Sequence, residues 1–227
     1  RPFDTFVLRL LLVLFFASSV YALLALNEHF SSSVPVRGGV VVEGMVGTPR
    51  FINPVLASTR VDRDLSNLLF RSLMTISADG TLKPDIAESV TLESDNTTYT
   101  ITLKRDIRFH DGTPLSARDV AFTIALVQDP TLKSPLRGNW IDVQVETIDE
   151  YTLTITLPEP YAPFMENFQL GILPAHRWSE LPIEEVPFSR LNTEPVGSGP
   201  YEITDVRYDA SGLIEAYELS RSSVYEP

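Results

Sequence analysis

The chain contains no cysteine, only three histidines, and fewer basic than acidic residues: 18 Lys and Arg against 30 Asp and Glu, a net charge of −12. Without cysteine there are no disulfides, no thiolate nucleophile and no cysteine metal site. There is also no lipidated cysteine to tether an exported protein, so a tether would have to be polypeptide. The acidic balance argues against a nucleic-acid partner, which calls for a basic stripe. The histidines, His29, His110 and His176, share no ligand spacing, and the sequence suggests neither a bound metal nor a cofactor. No internal repeat is present, and no low-complexity segment follows the first forty residues. At 227 residues the chain is long enough for one good core or two small ones.

The apolar run Thr5–Leu26 is broken only by Arg9 and by Ser18 and Ser19. About twenty such residues span a bilayer core of about 30 Å. Arg1 and Arg9 precede Glu28, which places the N-terminus in the cytoplasm. A cleaved signal segment is the rival reading, but Leu23 and Leu24 stand where a small-x-small cleavage site would want Ala22 and Ala25 in closer register. Residues 1–30 are read as anchor or signal, and 31–37 as a Ser/Pro linker.

Val40–Val46 is a largely apolar run, expected to be a strand covered on both faces. A helix is expected from about Asp62, with Leu65, Leu68, Leu69 and Leu73 on one face. Asp79-Gly80 signals a tight turn. Thr97–Leu103 alternates, with Tyr99, Ile101 and Leu103 on one face and threonines on the other. The stretch from Val143 to Leu157 does the same across Asp149-Glu150. These two read as antiparallel strands, each with one face on a core. Pro163 opens a short helix carrying Phe164 and Phe168, and Tyr201–Val206 is expected to pair with Leu213–Leu219.

Arg105–Gln128 joins a strand end, a tight turn at His110-Asp111-Gly112-Thr113-Pro114, and a helix. Ser116 and Asp119 form a capping box, and Val120, Ile124 and Val127 repeat at helical spacing. His110-Asp111 has the residue types of a general base with its orienting carboxylate. In a Gly-Pro turn, Asp111 instead bonds its own backbone and Gly112 supplies a positive φ, which is the reading adopted here. Gly197-Ser198-Gly199 lacks the Gly-x-Ser-x-Gly pattern and the following helix of a nucleophile elbow, and is read as a turn passing close to a neighbour. Asn96-Thr97-Thr98 matches a glycosylation sequon and is assigned no role. Trp140, Tyr161 and Trp178 are expected in the core. No nucleophile–base pair stands out, so no catalytic residue and no enzyme is expected.

The wording of these segments resembles the family 5 extracellular solute-binding proteins, the peptide and nickel receptors of ABC importers. "FHDGTPLSARDVAFTI" at 109–124 is similar to that family's signature. Gly38–Val42 with Phe51-Ile52-Asn53-Pro54, Leu69–Leu73, Leu82–Ser89, Tyr99–Leu103, Leu173–His176 and Pro195–Tyr201 follow in the family's order. The resemblance implies an α/β, periplasmic-binding-protein-like two-lobed fold with an inserted extra domain. Family members are longer, so the chain is expected to be an N-terminal part holding the first lobe and the insertion, preceded by a transmembrane helix. By the same resemblance, 38–61 and 169–227 form lobe I and 62–168 the inserted α+β domain. Extended backbone after the first strand lines the family's cleft, which carries over to Met45, Val46, Gly47 and Thr48, with Phe51 and Asn53 added. The implied function is an exported receptor that binds peptides or peptide-like solutes and delivers them to the permease's transmembrane subunits. The implied location is the periplasm or cell surface, with membrane contact through the N-terminal helix. A receptor-fold surface module without transport, sensor or chaperone-like, is the alternative.

Overall fold

The computed structural model describes residue 9, residues 11–23 and residues 38–225. The chain divides into two units, Arg1–Gly44 and Met45–Pro227. In the first unit, residues 11–23 are helical (α1). Among the described residues no helix is long and apolar enough to cross a membrane. Residues 5–8, 10 and 24–26 of the expected span, and the linker 31–37, lie outside the described residues.

The Val40–Val46 strand is a correction. No strand forms there, and Val40, Val41 and Val42 are each more than nine-tenths exposed. A run of β-branched residues states a preference for burial, but a strand exists only through its ladder. No described segment pairs with this one.

The second unit begins irregularly and enters α2 (Arg60–Leu69), capped by Thr59, whose side chain accepts from the Asp62 amide. Asp62 is fully buried because its carboxylate collects the backbone N–H groups of Arg50 (2.9 Å), Phe51 (3.1 Å) and Thr59 (3.4 Å). One side chain therefore caps the helix and ties down the segment before it. Leu65 and Leu69 face the core as expected, while Leu73 is buried beyond the helix end.

The hairpin β1 (Met74–Ile76) and β2 (Leu82–Pro84) turns at Asp79-Gly80, where Gly80 has φ +83°. A four-stranded antiparallel sheet follows, built from β3 (Ala87–Leu92), β4 (Thr98–Leu103), β5 (Gln144–Thr147) and β6 (Thr152–Thr156) in the order β3-β4-β6-β5. The β4–β6 register sets Tyr99 opposite Ile155 and Ile101 opposite Leu153, so period-two alternation on both strands builds one buried face. The helix α3 (Ala117–Gln128) adds Val120, Ile124 and Val127 to the core.

The expected helix at Pro163 is a 3₁₀ segment, Ala162–Gln169. Its Phe164 and Phe168 join Tyr99 and Trp140 in an aromatic cluster with centroids 5.2–6.0 Å apart, edge-on except for the tilted Tyr99–Phe164 pair. Trp178, in the short α4 (Ala175–Trp178), is also buried, whereas Tyr161 is exposed. The chain ends in the hairpin β7 (Tyr201–Tyr208) and β8 (Ile214–Arg221), paired as expected. Residues from Ile52 to Val186 contribute to one contiguous core.

Candidate functional site

Three loops read separately in the sequence meet in the second unit. His110 donates its main-chain N–H to the Gly197 carbonyl (2.7 Å), and Gly197 N–H donates to His110 Nδ1 (3.2 Å). Since Nδ1 accepts, the proton sits on Nε2, which donates to the Gly199 carbonyl at 3.0 Å. Burial pulls the His110 pKa below its ordinary value, and the geometry agrees: a protonated ring would set one N–H against another. The glycines are needed for this approach. A Cβ on Gly197 would lie 1.8 Å from the Leu69 carbonyl oxygen, and one on Gly199 2.5 Å from that of Leu68.

Asp111 behaves as a turn residue, accepting from the Thr113 amide at 3.1 Å while Gly112 takes φ +85°. It also pairs with His176 Nε2 at 2.8 Å. Burial would raise the Asp111 pKa, but the hydrogen bonds from His176 and Thr113 outweigh it and the net shift is downward. Asp119 spans another joint, with one oxygen on the Ser116 amide (2.9 Å) and the other on the Ala175 amide (2.8 Å). Both histidines are thus positioned as structural links between loops. Ser198 Oγ accepts from the Arg71 amide at 3.2 Å and is buried, which gives it the same kind of task. Among the described residues no group of three metal-ligating side chains forms.

The same unit holds a cleft of about 610 Å³, lined by none of the linked histidines or glycines. One wall is a stripe of α2, Arg63, Ser66 and Asn67 at the i, i+3, i+4 spacing of a single helix face, continued by Phe70 just past the helix end. The floor is Arg71-Ser72 beside Gly171, and the far side is the end of the 3₁₀ segment at Glu166–Gln169 with Tyr225. Gly171 lets the two backbones meet: its Cβ would lie 2.8 Å from Pro54, and Ile172 N–H donates to the Arg71 carbonyl at 2.8 Å. Arg71 is nearly buried and paired with Asp85, Nε to Oδ1 at 2.8 Å and NH2 to Oδ1 at 2.6 Å, while its guanidinium lies 4.9 Å over the Tyr225 ring. Polar and apolar side chains line this cleft in about equal measure.

None of the six residues expected to contact solute lines this cleft. Met45, Val46, Gly47 and Thr48 are exposed, with a bend at Val46-Gly47, and Phe51 is half-buried. Asn53 is fully buried and occupied: Nδ2 donates to Asn192 Oδ1 (3.0 Å) and Oδ1 accepts from the Val55 amide (3.0 Å). In this structure its amide links the segment after residue 50 to Asn192. The cleft residues come from seven separated stretches, 54–57, 63–76, 85, 136–140, 166–171, 200 and 225, which no local pattern joins. The one local signal is the 63-66-67-70 stripe, polar except at its last position.

The comparisons with known proteins agree with this architecture. The family model for bacterial extracellular solute-binding proteins, family 5 (middle), matches residues 81–218. This chain belongs to that family. The oligopeptide-binding protein AppA of Bacillus subtilis is 28% identical over 180 residues, 77% of this chain and 33% of that protein. NikZ of Campylobacter jejuni, solved with Ni(L-His), superposes with a TM-score of 0.68 at 31% identity, covering 81% of this chain and 35% of that one. Bacillus subtilis AppA, solved with a nonapeptide, gives 0.72 at 23% identity over 80% of this chain and 36% of that one, a likeness of fold. The chain spans about a third of the length of the curated relatives it matches.

Proposed function

We propose that this chain is part of an exported receptor that binds peptides or peptide-like solutes for an ABC importer and passes them to the permease's transmembrane subunits. The observation that carries the reading is the cleft itself, about 610 Å³ with mixed polar and apolar walls, on the fold of proteins solved with a nonapeptide and with Ni(L-His). The role is binding without turnover. The exposed Met45–Thr48 backbone makes no hydrogen bond to other described residues. Its free N–H and C=O groups suit pairing with an extended peptide main chain, giving affinity with little side-chain preference. In this reading 38–61 and 169–227 form the first lobe, 62–168 is the inserted domain, and the apolar N-terminal stretch holds the receptor on the outer side of the cytoplasmic membrane.

Native mass spectrometry of the complete receptor, purified without refolding from a bacterial host, tests the assignment. Adducts a few hundred daltons heavy that resolve into short peptides on denaturation support it. An empty receptor that also ignores added peptides and metal chelates refutes it. Membrane fractionation tests the anchor, since release of the receptor with the soluble periplasmic fraction would refute it.

A further inference from the structure

Ser66 is 5% exposed, lies on the cleft-lining stripe of α2, and its hydroxyl has no hydrogen-bond partner among the described residues. A buried hydroxyl without a partner is uncommon, because it loses its bonds to water and gains nothing in return. The usual remedy within a helix is a bond to the carbonyl four residues back. Thr123 on α3 shows that remedy in this molecule: its Oγ donates to the Asp119 carbonyl at 2.7 Å and accepts from the Leu173 amide at 3.0 Å. Ser66 makes no such bond to Asp62, and no other buried side-chain polar atom among the described residues is left unpaired.

We infer that the Ser66 hydroxyl is a solute-contacting group, completing its hydrogen bonding on a neutral main-chain amide of the bound molecule. This rests on the receptor reading of the cleft. The charge beside it is already used, since Arg71 is held by Asp85, so Ser66 offers a neutral donor and acceptor rather than an ionic anchor. An amide, which presents both a carbonyl and an N–H, is the group such a hydroxyl fits. The side chain next along the stripe, Asn67, is exposed on the same wall and extends the neutral polar surface.

The test is Ser66→Ala in the complete receptor, with two readouts. Titration calorimetry uses a panel of tri- to pentapeptides and Ni(L-His) as probes. Loss of one neutral hydrogen bond should weaken Kd for the peptides about fivefold. The ligand-free melting temperature should hold or rise, because the variant removes an unpaired buried hydroxyl and places a better helix former. Unchanged peptide affinity in a wild-type receptor that does bind would overturn the inference and leave the receptor reading standing. Weaker binding together with a lowered ligand-free melting temperature would also overturn it, by showing that the hydroxyl has a structural partner. Failure of the wild type to bind any probe would overturn the receptor reading, and this inference with it.

Discussion

Substituting Gly197 by alanine should be among the most damaging single-methyl additions this molecule can receive. The new Cβ would sit 1.8 Å from the Leu69 carbonyl oxygen, where real contacts stay beyond 3.0 Å, so something must move by about 1.2 Å. That carbonyl accepts both Ser198 N–H (2.9 Å) and Gly199 N–H (2.8 Å), and Gly197 itself exchanges two bonds with His110. A displacement of this size takes the pair of Leu69 bonds out of range and leaves buried amide groups without partners. At about 1 kcal/mol for each bond and 1–3 kcal/mol for each stranded group, the expected loss is about 3–5 kcal/mol. Urea unfolding of the full chain followed by tryptophan fluorescence suits the measurement, since Trp140 and Trp178 are both buried. Two glycines grade the scale. Gly112 has open space but φ +85°, so alanine there should cost about 1–2 kcal/mol in backbone strain. Gly138 has open space and no such φ, and alanine there should stay within about 0.5 kcal/mol. A Gly197→Ala loss below about 1 kcal/mol, or no separation from Gly138→Ala, would refute the reasoning.

Three further outcomes are expected. Asp62→Ala removes the carboxylate holding the Arg50, Phe51 and Thr59 amides, so hydrogen exchange at Arg50 and Phe51 should accelerate at least tenfold; unchanged protection would show that other contacts hold this segment. Arg71→Met strands the Asp85 carboxylate and should cost about 3–5 kcal/mol, much of it recovered in Arg71→Met/Asp85→Leu, with the double variant's urea midpoint as the check. The third concerns pH. The folded state holds His110 neutral, whereas the unfolded chain protonates it near the ordinary value of 6.5. Its contribution is therefore intact above that value and is lost as the pH falls below it toward the depressed folded pKa. Melting temperature should fall from about pH 7.5 to about pH 5, and the fall should be shallower in His110→Gln. Equal slopes would refute the assignment. Asp111, shifted downward, adds its own loss only at more acidic pH, in the carboxylate range.

The features legible from the chain alone are those whose cause is local. Alternation placed Tyr99, Ile101 and Leu103 inward on β4, and Leu153 and Ile155 inward on β6, because side chains on a strand change face at every residue. The Ser116–Asp119 box started α3 where a cap and its return bond are three residues apart. Asp79-Gly80 and Asp111-Gly112 turned the chain because only glycine takes a positive φ without strain there. The family, too, was legible, through motifs in a fixed order. What each motif touches was set by long-range packing. Asp119 reaches Ala175, His110 clamps the Gly197–Gly199 turn, and Asn53 is spent on Asn192, at separations no local pattern encodes. The same reason covers the strand that does not form and the make-up of the cleft. Val40–Val46 carries a strand's composition, but its ladder must come from distant chain. The cleft gathers side chains from α2, Arg71-Ser72, Asp85, Gly171 and Tyr225, which become neighbours only when the core closes.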